Sequence, residues 1–301
     1  MCYRCILITY FSVAYMPKLL DKRRIVHHFG NPTDGGVVEH CSMTSDVLGV
    51  DKEFSVYLPC GYDDSDIRYP VLYLFHPAGG THEAWMSIGQ LPQIADDSIR
   101  SGMACPVIIV SPDAVGTGDN HLGRHLGFFS VSGWDYERYF NEELIDLIDS
   151  IYRTIPDKHH RAITGVSMGG EAAIAYAQKH PDRYVAACSI SGILGHPEQS
   201  VMARTDKDYA SSLVANDPTK FLEMSCTEVL EKLRTVKWYA DCGDNDYFYE
   251  GNVGFYLAMK HHGIAIDYRM RSGVHSWYYW ITGLPFILQF ISGAFTSRLF
   301  G

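Results

Sequence analysis

A serine with glycines two residues to either side, in Gly165-Val166-Ser167-Met168-Gly169 and extended by Gly170, is the first place in this chain where residue types and spacing point to chemistry. The stretch before it, Arg161-Ala162-Ile163-Thr164, has strand composition, and Glu171 to Ala177 after it is rich in helix formers. A serine on so sharp a strand-to-helix turn projects its hydroxyl, and the glycines keep side chains out of the crowded turn. The helix that begins behind it aims free N–H groups at any anion formed beside that hydroxyl. Ser167 is therefore a candidate nucleophile, and the Met168 N–H a candidate donor to an oxyanion.

A serine hydroxyl needs a base to take its proton and a carboxylate to orient that base. His275 suits the first role, because it follows the strand pattern 265–270 through Arg271-Ser272-Gly273-Val274 and precedes an apolar helix pattern starting near Trp277. His261 and His262 end a helical stretch before Gly263, where histidines cap carbonyls. For the acid, Asp241, Asp244 and Asp246 compete within one run, Asp241-Cys242-Gly243-Asp244-Asn245-Asp246-Tyr247. Asp241 falls at the end of a strand pattern, whereas Asp246 lies further into the loop, with reach toward a neighbouring strand. A second oxyanion donor is expected from His76-Pro77-Ala78-Gly79-Gly80, directly after the strand pattern 71–75. Pro77 has no N–H, which leaves Ala78, with Gly79 next. Trp85, Trp134, Trp277 and Tyr278 flank these loops and are candidates for stacking on an aromatic acyl group or a sugar.

The elements that must hold these residues alternate along the chain. Val37-Val38-Glu39 and Glu53 to Pro59 read as antiparallel strands, with a turn at Gly61-Tyr62-Asp63-Asp64. Val71 to Phe75 and Val107 to Val110 are continuous apolar runs, as buried parallel strands require. Helical patterns over about 135–153, 168–179, 218–234, 250–262 and 277–292 alternate with further strands near 185–188, 236–240 and 265–269. This predicts an α/β fold: a mostly parallel central sheet with helices on both faces and antiparallel N-terminal strands, its site at the carboxyl ends of the strands. No repeat or linker interrupts the pattern, so residues 30–301 are expected to form a single domain and 1–29 an N-terminal extension.

With 25 basic and 35 acidic residues the chain carries a net charge of −10, and no Lys/Arg cluster interleaves with aromatics, which argues against a nucleic-acid partner. The eight cysteines are scattered, and a chain of 301 residues needs no disulfide framework, so free thiols are expected. Cys2-x-x-Cys5 lacks a second ligand pair. His27-His28, His159-His160 and His261-His262 are adjacent rather than i, i+4, and no H-E-x-x-H occurs, so neither a metal nor a cofactor is expected. Arg4 with Ile6 to Phe11 and Ser12-Val13-Ala14 has the pattern of a short signal peptide, which would send the protein to the periplasm or outside the cell. Met16 offers an alternative start, leaving the protein in the cytoplasm, and the apolar run is too short to span a bilayer.

From about Phe54 to Ile291 the chain resembles the esterase branch of the α/β-hydrolases, which includes feruloyl and acetyl-xylan esterases, tributyrin esterases and S-formylglutathione hydrolases. The matching segments are Pro70 to His76, Gly165 to Gly170, Cys242-Gly243-Asp244-Asn245-Asp246 and Gly273-Val274-His275-Ser276-Trp277. The resemblance implies that Asp246 is the acid and His275 the base of a Ser-His-Asp triad. It departs from the family at His76-Pro77, where the family has His-Gly. It further implies a serine ester hydrolase that works through an acyl-enzyme on a small or polysaccharide-linked feruloyl or acetyl ester. An acyltransferase with the same triad, a thioesterase and an inactive carbohydrate-binding member are the alternatives.

Overall fold

A computed structural model describes residues 17–26, 35–114, 127–196 and 207–296, so the leader-like residues 1–14 and the Cys2/Cys5 pair lie outside the described residues. Nine strands make one sheet: β1 (Leu19–Val26), β2 (Val37–Ser45), β3 (Val50–Leu58), β4 (Val71–Phe75), β5 (Ile108–Pro112), β6 (Arg161–Val166), β7 (Ala186–Ile190), β8 (Lys237–Gly243) and β9 (Ile266–Arg271). Their spatial order is β1-β2-β3-β5-β4-β6-β7-β8-β9. β1, β2 and β3 run antiparallel, β3 pairs antiparallel with β5, and every pairing from β5 onward is parallel. This is the mixed α/β sheet that the sequence pattern implies.

Side-chain alternation along the central strands feeds two cores. Val71, Tyr73 and Phe75 of β4 face one, with residues of the helix Met168–Lys179, while Leu72 and Leu74 face the other, with Leu91, Ala95 and the helix Trp277–Thr296. Helices therefore cover both faces. The helix predicted over 218–234 is two, Pro218–Met224 and Thr227–Leu233, because Ser225 and Cys226 between them are extended. The pattern 135–153 forms with a π-helical turn at Tyr139–Leu144. β1, inside the segment read as an N-terminal extension, pairs along its length with β2 and forms the sheet edge.

Candidate active site

Ser167 sits between β6 and the helix Met168–Lys179 with φ 55° and ψ −123°, a conformation that costs energy for any residue with a Cβ. Its N–H donates to Ile190 O at 3.0 Å, which ties the turn to β7. Close packing explains both motif glycines. A Cβ at Gly165 would lie 2.4 Å from the Gly169 carbonyl, and one at Gly169 would lie 2.7 Å from the carbonyl oxygens of Phe75 and His76. The turn is thus pressed against the end of β4, where the loop bearing Ala78 begins.

That loop is ordered by His76. Its Nε2 accepts from the Ala114 N–H at 3.1 Å, so its proton is on Nδ1, which lies 2.8 Å from Pro77 O. Gly80 N–H donates to Pro77 O at 3.0 Å, and Gly79 takes the φ of +77° that the third position of such a turn demands. Pro77 fits because it opens the turn, a position that needs no donor. Met168 opens its helix, so its N–H has no intrahelical carbonyl to meet.

The loops after β8 and β9 converge on the serine. His275 Nε2 lies 2.9 Å from Ser167 Oγ, and its Nδ1 lies 2.9 Å and 3.1 Å from the two Asp246 carboxylate oxygens. Asp246 is 1% exposed and also accepts from the Phe248 N–H at 2.9 Å. The competing aspartates are engaged elsewhere. Asp241, fully buried in β8, pairs with Arg271 Nε at 2.8 Å and accepts from the Tyr279 hydroxyl. Asp244 accepts from the Gly273 N–H at 2.9 Å, fastening the two loops together. His261 and His262 close the helix Tyr249–His261, away from this constellation.

Aromatic rings surround the imidazole. Tyr247 lies 4.4 Å from His275 between ring centroids and is 54% exposed; Trp280 meets it edge-on at 5.0 Å. Neither ring has a sequence signal of its own beyond the position of Tyr247 next to Asp246. Trp277 is partly buried against Trp280 and Trp85, and Tyr278 is exposed. Trp85 and Trp134 do not present rings to solvent as expected. Trp85 is fully buried and donates its indole N–H to Phe75 O at 3.1 Å, and Trp134, 3% exposed, packs against the buried Lys52 ammonium.

The family described as "Putative esterase" matches residues 45–291 of this chain. The chain is an esterase of that family. A solved ferulic acid esterase is 34% identical over 87% of this esterase and 99% of that chain, with a TM-score of 0.81. The bifunctional endo-1,4-beta-xylanase/feruloyl esterase of Xylanibacter ruminicola is 32% identical over 54% of the esterase, a match that spans only 23% of the larger protein's length. An acetyl esterase of Caldicellulosiruptor saccharolyticus is 25% identical over 69% of the esterase and 78% of its own length. An S-formylglutathione hydrolase of Agrobacterium tumefaciens shares the fold at a TM-score of 0.73 and 21% identity. No helix among the esterase's described residues is long and apolar enough to cross a membrane.

Proposed function

We propose that this esterase cleaves feruloyl or acetyl esters of plant polysaccharide through a covalent acyl-enzyme built on Ser167. The observation that carries the reading is the unbroken contact from Ser167 Oγ through His275 to Asp246, with both links at 2.9 Å. His275 Nε2 takes the serine proton as Oγ attacks the ester carbonyl, and Asp246 holds the Nδ1–H tautomer and stabilises the imidazolium. The Met168 and Ala78 N–H groups receive the negative charge that develops on the carbonyl oxygen; each such donor is worth about 2.7–4 kcal/mol of barrier. His275 then protonates the leaving alcohol, and a water activated by the same imidazole releases the acid. The feruloyl and acetyl preference rests on the named relatives and on the aromatic rim of Tyr247, Trp277 and Tyr278, which suits a phenolic acyl group or a sugar ring.

The test is a substrate panel of methyl ferulate, acetylated xylan, p-nitrophenyl acetate and S-formylglutathione, with Ser167→Ala as the blank. The expected result is a higher kcat/KM for methyl ferulate or acetylated xylan than for S-formylglutathione. A preference for the thiol ester would overturn the substrate assignment, and ester exchange onto an added sugar in place of hydrolysis would make the enzyme a transferase. Folded protein that resists a fluorophosphonate probe would refute the serine mechanism itself.

A further inference from the structure

Three segments distant in sequence meet on the antiparallel side of the sheet, outside the serine constellation. The Asp113 N–H donates to Glu53 O at 3.0 Å and extends the β3–β5 register, so Glu53 and Asp113 stand opposite each other on one face. His82, from the loop that follows Ala78, enters the same face. One ligand atom from each of Glu53, His82 and Asp113 lies within 4.8 Å of the other two. His82 and Asp113 are buried, at 7% and 6% exposure, while Glu53 opens onto a surface pocket of about 360 Å³.

One arrangement of the hydrogen bonds around His82 leaves its outer ring nitrogen available as a ligand. Ser55 Oγ lies 2.7 Å from His82 Nδ1 and 2.8 Å from His40 Nδ1. A hydroxyl donates once and can accept twice, so at most one of the two rings receives its proton. With His82 Nδ1–H donating to Ser55 and Ser55 donating to His40, the His82 Nε2 lone pair faces Glu53. That nitrogen is 3.8 Å from Glu53 Oε2, too long for a hydrogen bond and a few tenths of an ångström beyond the roughly 3.3–3.6 Å that separates two ligands on one tetrahedral ion with bonds of about 2.0–2.2 Å. An outer partner on the second ring nitrogen is the usual arrangement for a metal-binding histidine. Charge agrees: the pocket is lined by Asp21, Glu53, Glu83 and Asp113 against Arg23, and the buried Lys52 ammonium adds one further positive charge beside Glu53 and Asp113.

We propose that Glu53, His82 and Asp113 bind one first-row divalent cation of the Zn²⁺ or Mn²⁺ type. One imidazole with two carboxylates favours such an ion over Ca²⁺, which takes six to eight oxygens. The half-exposed Glu53 closes the remaining distance, and water from the pocket completes the shell. The ion fastens the loop bearing Ala78 to β3 and β5.

The test is calorimetric titration of the chelator-stripped full chain with ZnCl₂ and MnCl₂, with MgCl₂ and CaCl₂ as comparisons and Co²⁺ absorption reporting the ligand type. The expected result is one equivalent bound, a Co²⁺ spectrum free of thiolate charge transfer, and at least a ~10-fold loss of affinity in Glu53→Gln and in His82→Gln. Ser55→Ala, which touches no ion, is expected to weaken binding by about 10- to 100-fold. Near-UV circular dichroism checks that each variant is folded, and Glu53→Gln, at a half-exposed position, serves if His82→Gln is not. Absence of saturable binding to the parent, or undiminished binding by folded Glu53→Gln, would overturn the site.

Discussion

Glu171 provides a sharp test of how the helix behind Ser167 is built. It lies in the first turn of the helix behind Ser167, fully buried, and neither carboxylate oxygen has a hydrogen-bond partner among the described residues. Burial first, and the Asp217 carboxylate second, push its carboxyl well above the ordinary 4.5. The folded protein therefore keeps a proton that the unfolded chain releases. Stability that is fully present below pH 4.5 is lost as the pH climbs toward the folded value, at about 1.4 kcal/mol per pH unit. Glu171→Met keeps the length and removes the titration. Its stability relative to the parent is expected to rise by about 2 kcal/mol between pH 4.5 and pH 6, measured as the shift in urea midpoint at each pH. Ester turnover is expected to stay within a few-fold of the parent, because packing of Gly165 and Gly169 holds Ser167. A stability difference that does not change with pH would refute the reasoning, since it would mean that Glu171 is ionised in the fold.

Further expectations concern the site. Ser167→Ala and His275→Ala should each lower kcat by about 10,000-fold or more, read with p-nitrophenyl acetate. Asp246→Asn should cost about 1,000-fold or more in kcat through the wrong imidazole tautomer, whereas Asp244→Asn should retain most turnover and lower the melting temperature; the reverse ranking would transfer the acid role to Asp244. Gly169→Ala, whose new Cβ meets backbone at 2.7 Å, should destabilise the fold by about 1–3 kcal/mol and depress kcat beyond what lost folded protein explains. Tyr247→Ala should raise KM for methyl ferulate more than for p-nitrophenyl acetate, and equal changes would remove it from the acyl pocket.

The nucleophile turn was legible because its chemistry is local: strand composition, glycines and helix formers occupy consecutive positions. The three aspartates were not separable in the same way, since what distinguishes them is register between neighbouring loops. Asp241 is claimed by Arg271 and Tyr279, and Asp244 by the Gly273 N–H, partners that lie 30, 38 and 29 residues away in sequence. β1 was missed because Asp21-Lys22-Arg23-Arg24 reads as a charged segment, yet such charge suits an edge strand that must not pair further. Trp85 and Trp134 are buried, and an indole exposed beside a loop and one packed into the core look identical in sequence. The Glu53, His82 and Asp113 cluster has no spacing to read at all, as only folding assembles it.

The fastening between the loops after β8 and β9 has a mechanical consequence. Asp244 N–H donates to Arg271 O, Asn245 N–H to Gly273 O and Gly273 N–H back to Asp244, so the segment carrying Asp246 and the segment carrying His275 are laced into one body. Ser167 is held by different contacts, its N–H bond to Ile190 O and the packing of its turn against the end of β4. In the proposed mechanism this lacing keeps Asp246 and His275 in register with each other, and the contact from His275 Nε2 to Ser167 Oγ is the link between that pair and the turn after β6. If the serine mechanism holds, that contact sets how readily the hydroxyl gives up its proton, so an ester that lengthens it is expected to bind without reacting and to be discriminated in kcat as well as in KM.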